Sequence, residues 1–249
     1  MELNDKRVIV TGGAQGLGRC MVDHLLHFNA IVSVFDLNQE KLDALCAELP
    51  AVHTFLCDLT DPDQVTNALE SFFAIHGTAD ILINNAGLLY NCPLASIGPE
   101  GFKKHTWDDW RRVMSANLDS VFLMTAGVVE KMIKTRTKGL IVNISSVSAA
   151  GNAGQSAYSA AKAGVNALTA TWAKELGPMG IRVAGIAPGF VATESTASVM
   201  SPTALQEVLR HVPIQRLGQP HEIVKAVLAV IENDFFHGKV LPVDGGLVL

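Results

Sequence analysis

Short, unbroken apolar runs recur along this chain, and each gives way to a stretch with helical spacing. Val8-Ile9-Val10 opens the pattern, and Leu17, Met21, Leu25 and Phe28 then fall three or four apart, the period of one helix face. Residues 31–35, 53–57, 80–83, 140–145, 181–187 and 239–243 read as further strands. Residues 38–49, 63–75, 107–134, 155–176, 204–210 and 221–233 read as helices. The strands do not alternate polar with apolar residues. Strands buried on both faces read this way, and parallel sheets are buried on both faces. Strand–helix repetition with short connections predicts an α/β chain: a doubly wound parallel sheet of about seven strands with helices on both faces. No linker, repeat or low-complexity stretch divides it, so residues 1–249 read as one domain.

Composition agrees with a well-covered sheet. Only 17% of the 249 residues are charged and mean hydropathy is +0.28, against roughly 25% charged in ordinary soluble domains. Subunit contacts that hide further surface fit the same figures. The net charge of −5 is wrong for a phosphate backbone, so nucleic acid is not an expected partner. Cys20, Cys46, Cys57 and Cys92 form no C-x-x-C pair, which disfavours a zinc site or a disulfide framework. His53 and His105 have no partner at metal-ligand spacing, and no metal is expected. No apolar run has the roughly 18 residues of a membrane span, and the first residues lack the pattern of a signal peptide. The expected setting is the cytoplasm.

The first strand-to-helix turn is Thr11-Gly12-Gly13-Ala14-Gln15-Gly16-Leu17-Gly18. Gly12 permits a tight turn. Gly16 lets backbone approach a pyrophosphate, and Gly18 lets the helix sit close to the sheet. The helix start behind Gln15 and Leu17 offers free N–H groups to phosphate. Asp36 follows at the end of the second strand, about 20 residues on, where an acid binds the adenosine ribose of a dinucleotide. Its charge would repel a 2′-phosphate. No Arg or Lys lies in the glycine turn or immediately after Asp36, so NAD is favoured over NADP. Asp58, with Leu59 beside it, ends the third strand. It either meets the adenine edge or helps cap the helix entered through Asp61-Pro62.

In the second half, Tyr158 and Lys162 sit four apart on an expected helix and share a face. A phenol has an ordinary pKa near 10, and a neighbouring ammonium favours the phenolate. Such a pair moves protons near neutral pH.

Taken together, Thr11-Gly12-x-x-x-Gly16-x-Gly18, Asn84-Asn85-Ala86-Gly87, Asn117, Ser145-Ser146, Tyr158-x-x-x-Lys162 and Pro188-Gly189 resemble the short-chain dehydrogenase/reductase family across essentially the whole chain. Pro213-x-x-Arg216-x-Gly218-x-Pro220-x-Glu222 and Val243-Asp244-Gly245-Gly246 extend the likeness. Residues 151–155 are similar to 3-oxoacyl-thioester reductases, and the tail around Phe235-Phe236-His237-Gly238 is similar to NAD-linked 3-hydroxyacyl-CoA dehydrogenases. The resemblance implies a Rossmann-type fold and an NAD(H)-dependent exchange between a secondary alcohol and a ketone. By it, Tyr158 is the acid/base, and Lys162 lowers its pKa and holds the nicotinamide ribose. A serine holds the substrate oxygen, with Gln155 also facing substrate. Asn117 binds a water that links Lys162 to solvent. Asn85, Ala86 and Gly87 line the cofactor, and Pro188, Gly189, Val191 and Thr193 flank its nicotinamide and phosphates. The loop of about 190–213 covers substrate. A small hydroxy or keto compound is the implied partner. Alanine-rich helices like 155–176 pair between subunits in this family, implying a homotetramer, with a homodimer as the alternative.

The chain departs from the pattern in places. The usual serine-to-tyrosine spacing, counted back from Tyr158, reaches Ser145. The second serine of Asn-x-Ser-Ser is Ser146, which strand register favours. Ala184 replaces a common asparagine. The connection from Gly87 to Asn117 is long, with an added turn at Gly98-Pro99-Glu100-Gly101. Residues 88–105 and 190–213 are the least regular stretches. Trp107 and Trp110 suit core or subunit packing. Arg111-Arg112 suits a solvated helix face, or an anionic substrate tail. A non-catalytic NAD-binding sensor or scaffold is the rival reading, and the complete Asn-Ser-Tyr-Lys set argues against it. A nucleotide-sugar epimerase would need a larger C-terminal domain.

Overall fold

The computed structural model describes residues 1–98, 101–193 and 202–247. Seven strands form one parallel sheet: β1 (Arg7–Thr11), β2 (Ile31–Asp36), β3 (His53–Leu56), β4 (Ile81–Asn84), β7 (Leu140–Ile144), β8 (Arg182–Pro188) and β9 (Val240–Val243). Their order is β3-β2-β1-β4-β7-β8-β9. The winding reverses between β1 and β4, and a cleft opens there at the carboxyl ends of the strands.

Successive side chains on each strand enter different cores. Val8, Val10, Val32, Val34, Ile81, Ile83, Leu140 and Val142 pack on one face, against Met21, Val22 and Leu25 of α1 (Gly16–His27) and Val224 and Val227 of α8 (Pro220–Glu232). Ile9, Phe35, Leu82, Ile141 and Val183 pack on the other. There they meet Leu69 and Phe72 of α3 (Pro62–His76) and Met124 and Val128 of α5 (Ser120–Lys134). Each such aliphatic side chain contributes roughly 1.5–3 kcal/mol on full burial, which explains why the strands read as unbroken apolar runs.

Helix starts follow local chemistry. Asn38 accepts from Lys41 N at the start of α2 (Gln39–Glu48), and Asp61 accepts from the Asp63 and Gln64 backbones ahead of Pro62. Helix α6 (Ser156–Leu176) crosses behind β7 and β8, and α7 spans Pro202–His211. No helix among the described residues is long and apolar enough to cross a membrane.

Two expectations need correction. Residues 107–134 are not one regular helix. They form α4 (Trp107–Met114), a π-helical turn over Ser115–Asp119, and then α5. The turn takes a wider backbone loop because the buried Asn117 carboxamide bonds to groups on both sides of it, and π-turns inside helices are frequent at functional sites. The stretch 88–105 is not wholly irregular either. It carries an antiparallel hairpin, β5 (Ala95–Gly98) and β6 (Gly101–Lys104), with Ile97 opposite Phe102. The expected turn falls at its tip, where Pro99 and Glu100 lie outside the described residues. Both strands of the hairpin are exposed, so no buried face imposed a readable period. Trp107, expected in packing, is 68% exposed within the single chain.

Candidate active site

The glycine turn after β1 has the backbone its sequence promised. Gly12 and Gly16 have φ of +62° and +55°, values that favour glycine. A Cβ on Gly18 would stand 2.1 Å from the Gly12 carbonyl oxygen, so only glycine lets α1 approach the turn. Helix α1 begins with no side-chain cap and no acidic residue in its first turn. Its leading N–H groups therefore face the cleft with a positive dipole end. This cradle fits the pyrophosphate of a dinucleotide.

Asp36 ends β2 and is buried, accepting from Ala14 N at 3.2 Å and Asn38 N at 3.1 Å. A cation does approach the glycine turn from further along the chain. Lys41, on the first turn of α2, reaches back to the Gln15 side chain in the glycine turn. Sequence distance hid it, because α2 doubles back over the loop. Asp58 accepts from Thr60 N and Oγ1, while Asp61 is the N-cap of α3.

The end of β4 is tied to β1. Thr11 Oγ1 accepts from Asn85 N at 2.9 Å and Ala86 N at 3.0 Å, and Asn85 Nδ2 donates to the Thr11 and Gly12 carbonyls. A cavity of about 880 Å³ lies here, lined by Gly12, Gln15, Gly16, Leu17, Gly18, Asp36, Asp58, Leu59, Asn85, Ala86 and Gly87. Cys57, Leu88 and Ser120 also line it, and sequence reasoning had not assigned them to a site; Arg112 lines it too. Arg112 had been read as solvated or as meeting a substrate tail. It is exposed, pairs with Asp109 at 3.0 Å and lies over the Tyr90 ring.

A second cavity of about 250 Å³ shares Leu17, Asn85 and Gly87 with the first. Around it stand Asn117, Ser145, Ser146, Gln155, Tyr158, Lys162, Pro188, Gly189, Val191 and Thr193. Every residue expected at the site thus borders one of two adjoining cavities. Of the loop expected over substrate, Phe190, Val191 and Thr193 line this cavity, and residues 194–201 lie outside the described residues.

Strand β7 ends at Ile144, so the two serines leave its carboxyl end in opposite directions. Ser145 is buried, and its hydroxyl donates to Asn166 Oδ1 at 2.5 Å, with the Lys162 carbonyl as a more distant alternative acceptor at 3.3 Å. Ser146 accepts from Ser148 N at 3.1 Å and borders the same cavity as Tyr158, close enough to pull the phenol's pKa down.

Lys162 lies beneath, 3% exposed, with Nζ donating to Ile144 O at 2.8 Å and standing 5.8 Å from the Tyr158 ring centre. Burial drives its pKa down to about 8. Burial also raises the Tyr158 phenol above its ordinary value, and Ser146 pulls the other way. The sequence reading had the ammonium lowering the phenol. Burial outweighs the Ser146 contribution at the phenol, and the Lys162 ammonium bonds to the Ile144 carbonyl.

Asn117 is fully buried. Its Nδ2 donates to Leu88 O and Val113 O, both at 2.9 Å, and its Oδ1 accepts from Leu88 N at 3.1 Å. Both its N–H groups are used, so a water there would find only oxygen lone pairs. Gly87 must stay bare, because a Cβ would stand 2.6 Å from Asn117 Oδ1.

A family model described as short chain dehydrogenase matches residues 6–204. The chain belongs to the short-chain dehydrogenase/reductase family. A 3-oxoacyl-[acyl-carrier-protein] reductase of Thermotoga maritima is 38% identical over the full length of both chains. A cyclopentanol dehydrogenase of a Comamonas strain is 35% identical, with 98% of this chain and 97% of that protein covered. The crystal structure of gox2181 superposes with a TM-score of 0.88 at 29% identity, covering 98% of this chain and 97% of the other. As a short-chain dehydrogenase/reductase, this chain is an oxidoreductase acting on alcohol and keto groups.

Proposed function

We propose that this chain is an NAD(H)-dependent oxidoreductase that interconverts a secondary alcohol and a ketone, with a 3-hydroxyacyl/3-oxoacyl thioester as the leading substrate. The observation that carries it is the convergence of Ser146, Tyr158 and the buried Lys162 on one cavity that adjoins the glycine-turn cleft. The thioester reading draws on the reductase relative, and the cyclopentanol dehydrogenase keeps a cyclic alcohol as the comparison.

The dinucleotide, when bound, supplies or accepts the hydride at its nicotinamide. The chain's own residues handle the proton and the geometry. Tyr158 gives its phenolic proton to the carbonyl oxygen in reduction and takes it back in oxidation. Ser146 donates to the same oxygen and stabilises the charge that develops on it. Lys162 stands below the phenol as the nearest cation, and Asn117 fixes the strand–helix junction beside it. Pro188, Gly189, Val191 and Thr193 close the cofactor side, and Asp36 accepts from the adenosine ribose. Asp36 is the reason for choosing NAD, and Lys41, which reaches the glycine turn, is a group that favours a 2′-phosphate. The working protein is a cytoplasmic homotetramer in this reading.

The test is titration with NADH and NADPH, followed by turnover with ketones and 3-oxoacyl thioesters. Tyr158→Phe is expected to lower kcat by at least about a thousandfold while NADH still binds. Retained turnover would remove Tyr158 from its role. Asp36→Ala is expected to weaken NADH more than NADPH, and an unchanged preference would remove Asp36 from the cofactor argument.

A further inference from the structure

The polar groups that face the reacting carbonyl do not all come from the motifs. Asn91, in the long connection after β4, borders the same cavity as Ser146 and Tyr158. It is held there by the backbone, since Cys92 N donates to Gly154 O at 2.7 Å and Cys92 bridges to Gln155. Gln155 occupies the N-cap position of α6, three residues before Tyr158, so the two open onto one cavity. Its side chain is 6% exposed and gripped at both ends. Nε2 donates to Asn91 Oδ1 at 2.8 Å, and Oε1 accepts from Asn152 Nδ2 at 3.1 Å.

A primary carboxamide has two N–H donors and one oxygen. The Asn91 bond takes one N–H and fixes which end of the amide is nitrogen, leaving the second N–H on the buried cavity wall. A buried N–H favours a substrate that brings an acceptor to it. Tyr158 and Ser146 already serve the reacting oxygen, so that acceptor is a second oxygen close along the substrate chain. A 3-oxoacyl thioester carries one, the thioester carbonyl. A cyclic ketone carries none.

Resting on the dehydrogenase reading above, we propose that Asn91 is a positioning residue. It orients the Gln155 carboxamide so that the free N–H receives the thioester carbonyl, and it thereby selects 3-oxoacyl thioesters over simple ketones. Without Asn91 the Nε2 end loses its acceptor and only the Asn152 bond to Oε1 orients the amide, so the free N–H is held less firmly toward the substrate.

Acetoacetyl-CoA and cyclopentanone serve as probes, with whichever of NADH and NADPH the wild-type protein uses. For Asn91→Ala, the ratio of kcat/KM for acetoacetyl-CoA to that for cyclopentanone is expected to fall about tenfold, through KM. Asn91→Asp, which can only accept, is expected to restore the ratio. Asn91→Ala combined with Gln155→Ala is expected to be no worse than Gln155→Ala alone, since one residue acts through the other. An unchanged ratio in Asn91→Ala, or a loss that Asn91→Asp does not restore, overturns the proposal and leaves the dehydrogenase reading standing. A wild-type protein that reduces cyclopentanone but not acetoacetyl-CoA also overturns it alone. A wild-type protein that binds the dinucleotide and reduces neither probe overturns both.

Discussion

Lys162 shows what a single functional side chain does to the fold that holds it. Its ammonium is buried, and its pKa falls to about 8 from about 10.4 in an unfolded chain. The folded state therefore binds fewer protons than the unfolded one between those values. Stability rises with pH across that window, and at neutral pH the buried charge costs about 3 kcal/mol. Lys162→Met removes that charge and also the bond to Ile144 O, which contributes about 1 kcal/mol. The variant is expected to be about 2 kcal/mol more stable than the wild type at pH 7, and inactive. The gap should close towards pH 10, as denaturant titrations at the two pH values would show. A gap that ignores pH would mean that burial leaves the Lys162 pKa where it stands in the unfolded chain. Tyr158 and Lys162 stood out in the sequence because helix spacing puts them on one face and the surrounding motifs resemble one family across the chain. Asn91 was not, since nothing in its local sequence says that its connection packs beside residues 152–155.

At the scale of elements, the π-helical turn joins the site to the long connection. The Asn117 carboxamide bonds to Leu88 on one side and Val113 on the other. It sets the helix geometry and pins the segment that delivers Asn91. Asn117→Ala strands two buried carbonyls and one N–H, and is expected to destabilise the protein by about 2–4 kcal/mol. Urea unfolding measures this, and a loss under about 0.5 kcal/mol, the range of ordinary surface changes, would show that water or a regular helix replaces the amide. Sequence periodicity read residues 107–134 as one helix because a π-turn shifts the phase by only a fraction of a turn. The hairpin β5–β6 escaped for a different reason. Ile97 and Phe102 are 86% and 68% exposed, and a strand without a buried face has no pattern to read. The serines lie between these cases. Their sequence left two candidates, and the end of β7 at Ile144 separates them, turning one hydroxyl to Asn166 and the other to Tyr158.

The whole molecule was legible through its strands, because a sheet buried on both faces leaves unbroken apolar runs and splits them between two cores. The outer faces of its helices show where that covering stops. On α5, Phe122 is 53% exposed and Ile133 44% exposed, and the exposed Ala126 lies one turn along from Phe122. On α6, Ala163 and Ala167 are exposed one turn apart. Small residues at helical spacing let a second helix come close, and an apolar stripe flanked by charged residues such as Glu130 and Lys134 marks an interaction surface. A homotetramer built through these helices buries the stripes, accounting for the low share of charged residues. Sedimentation at micromolar concentration is expected to show the wild-type chain as an oligomer whose Tm rises with protein concentration. Ala167→Glu places a carboxylate where a partner helix must approach, and is expected to yield smaller species with a lower, concentration-independent Tm. NADH binding should persist in those species, since Ala167 borders neither of the two cavities at the site. A wild-type chain that sediments as a monomer would leave α5 and α6 facing water and would remove the tetramer from the reading. An oligomer indifferent to Ala167→Glu would place the contact on another face.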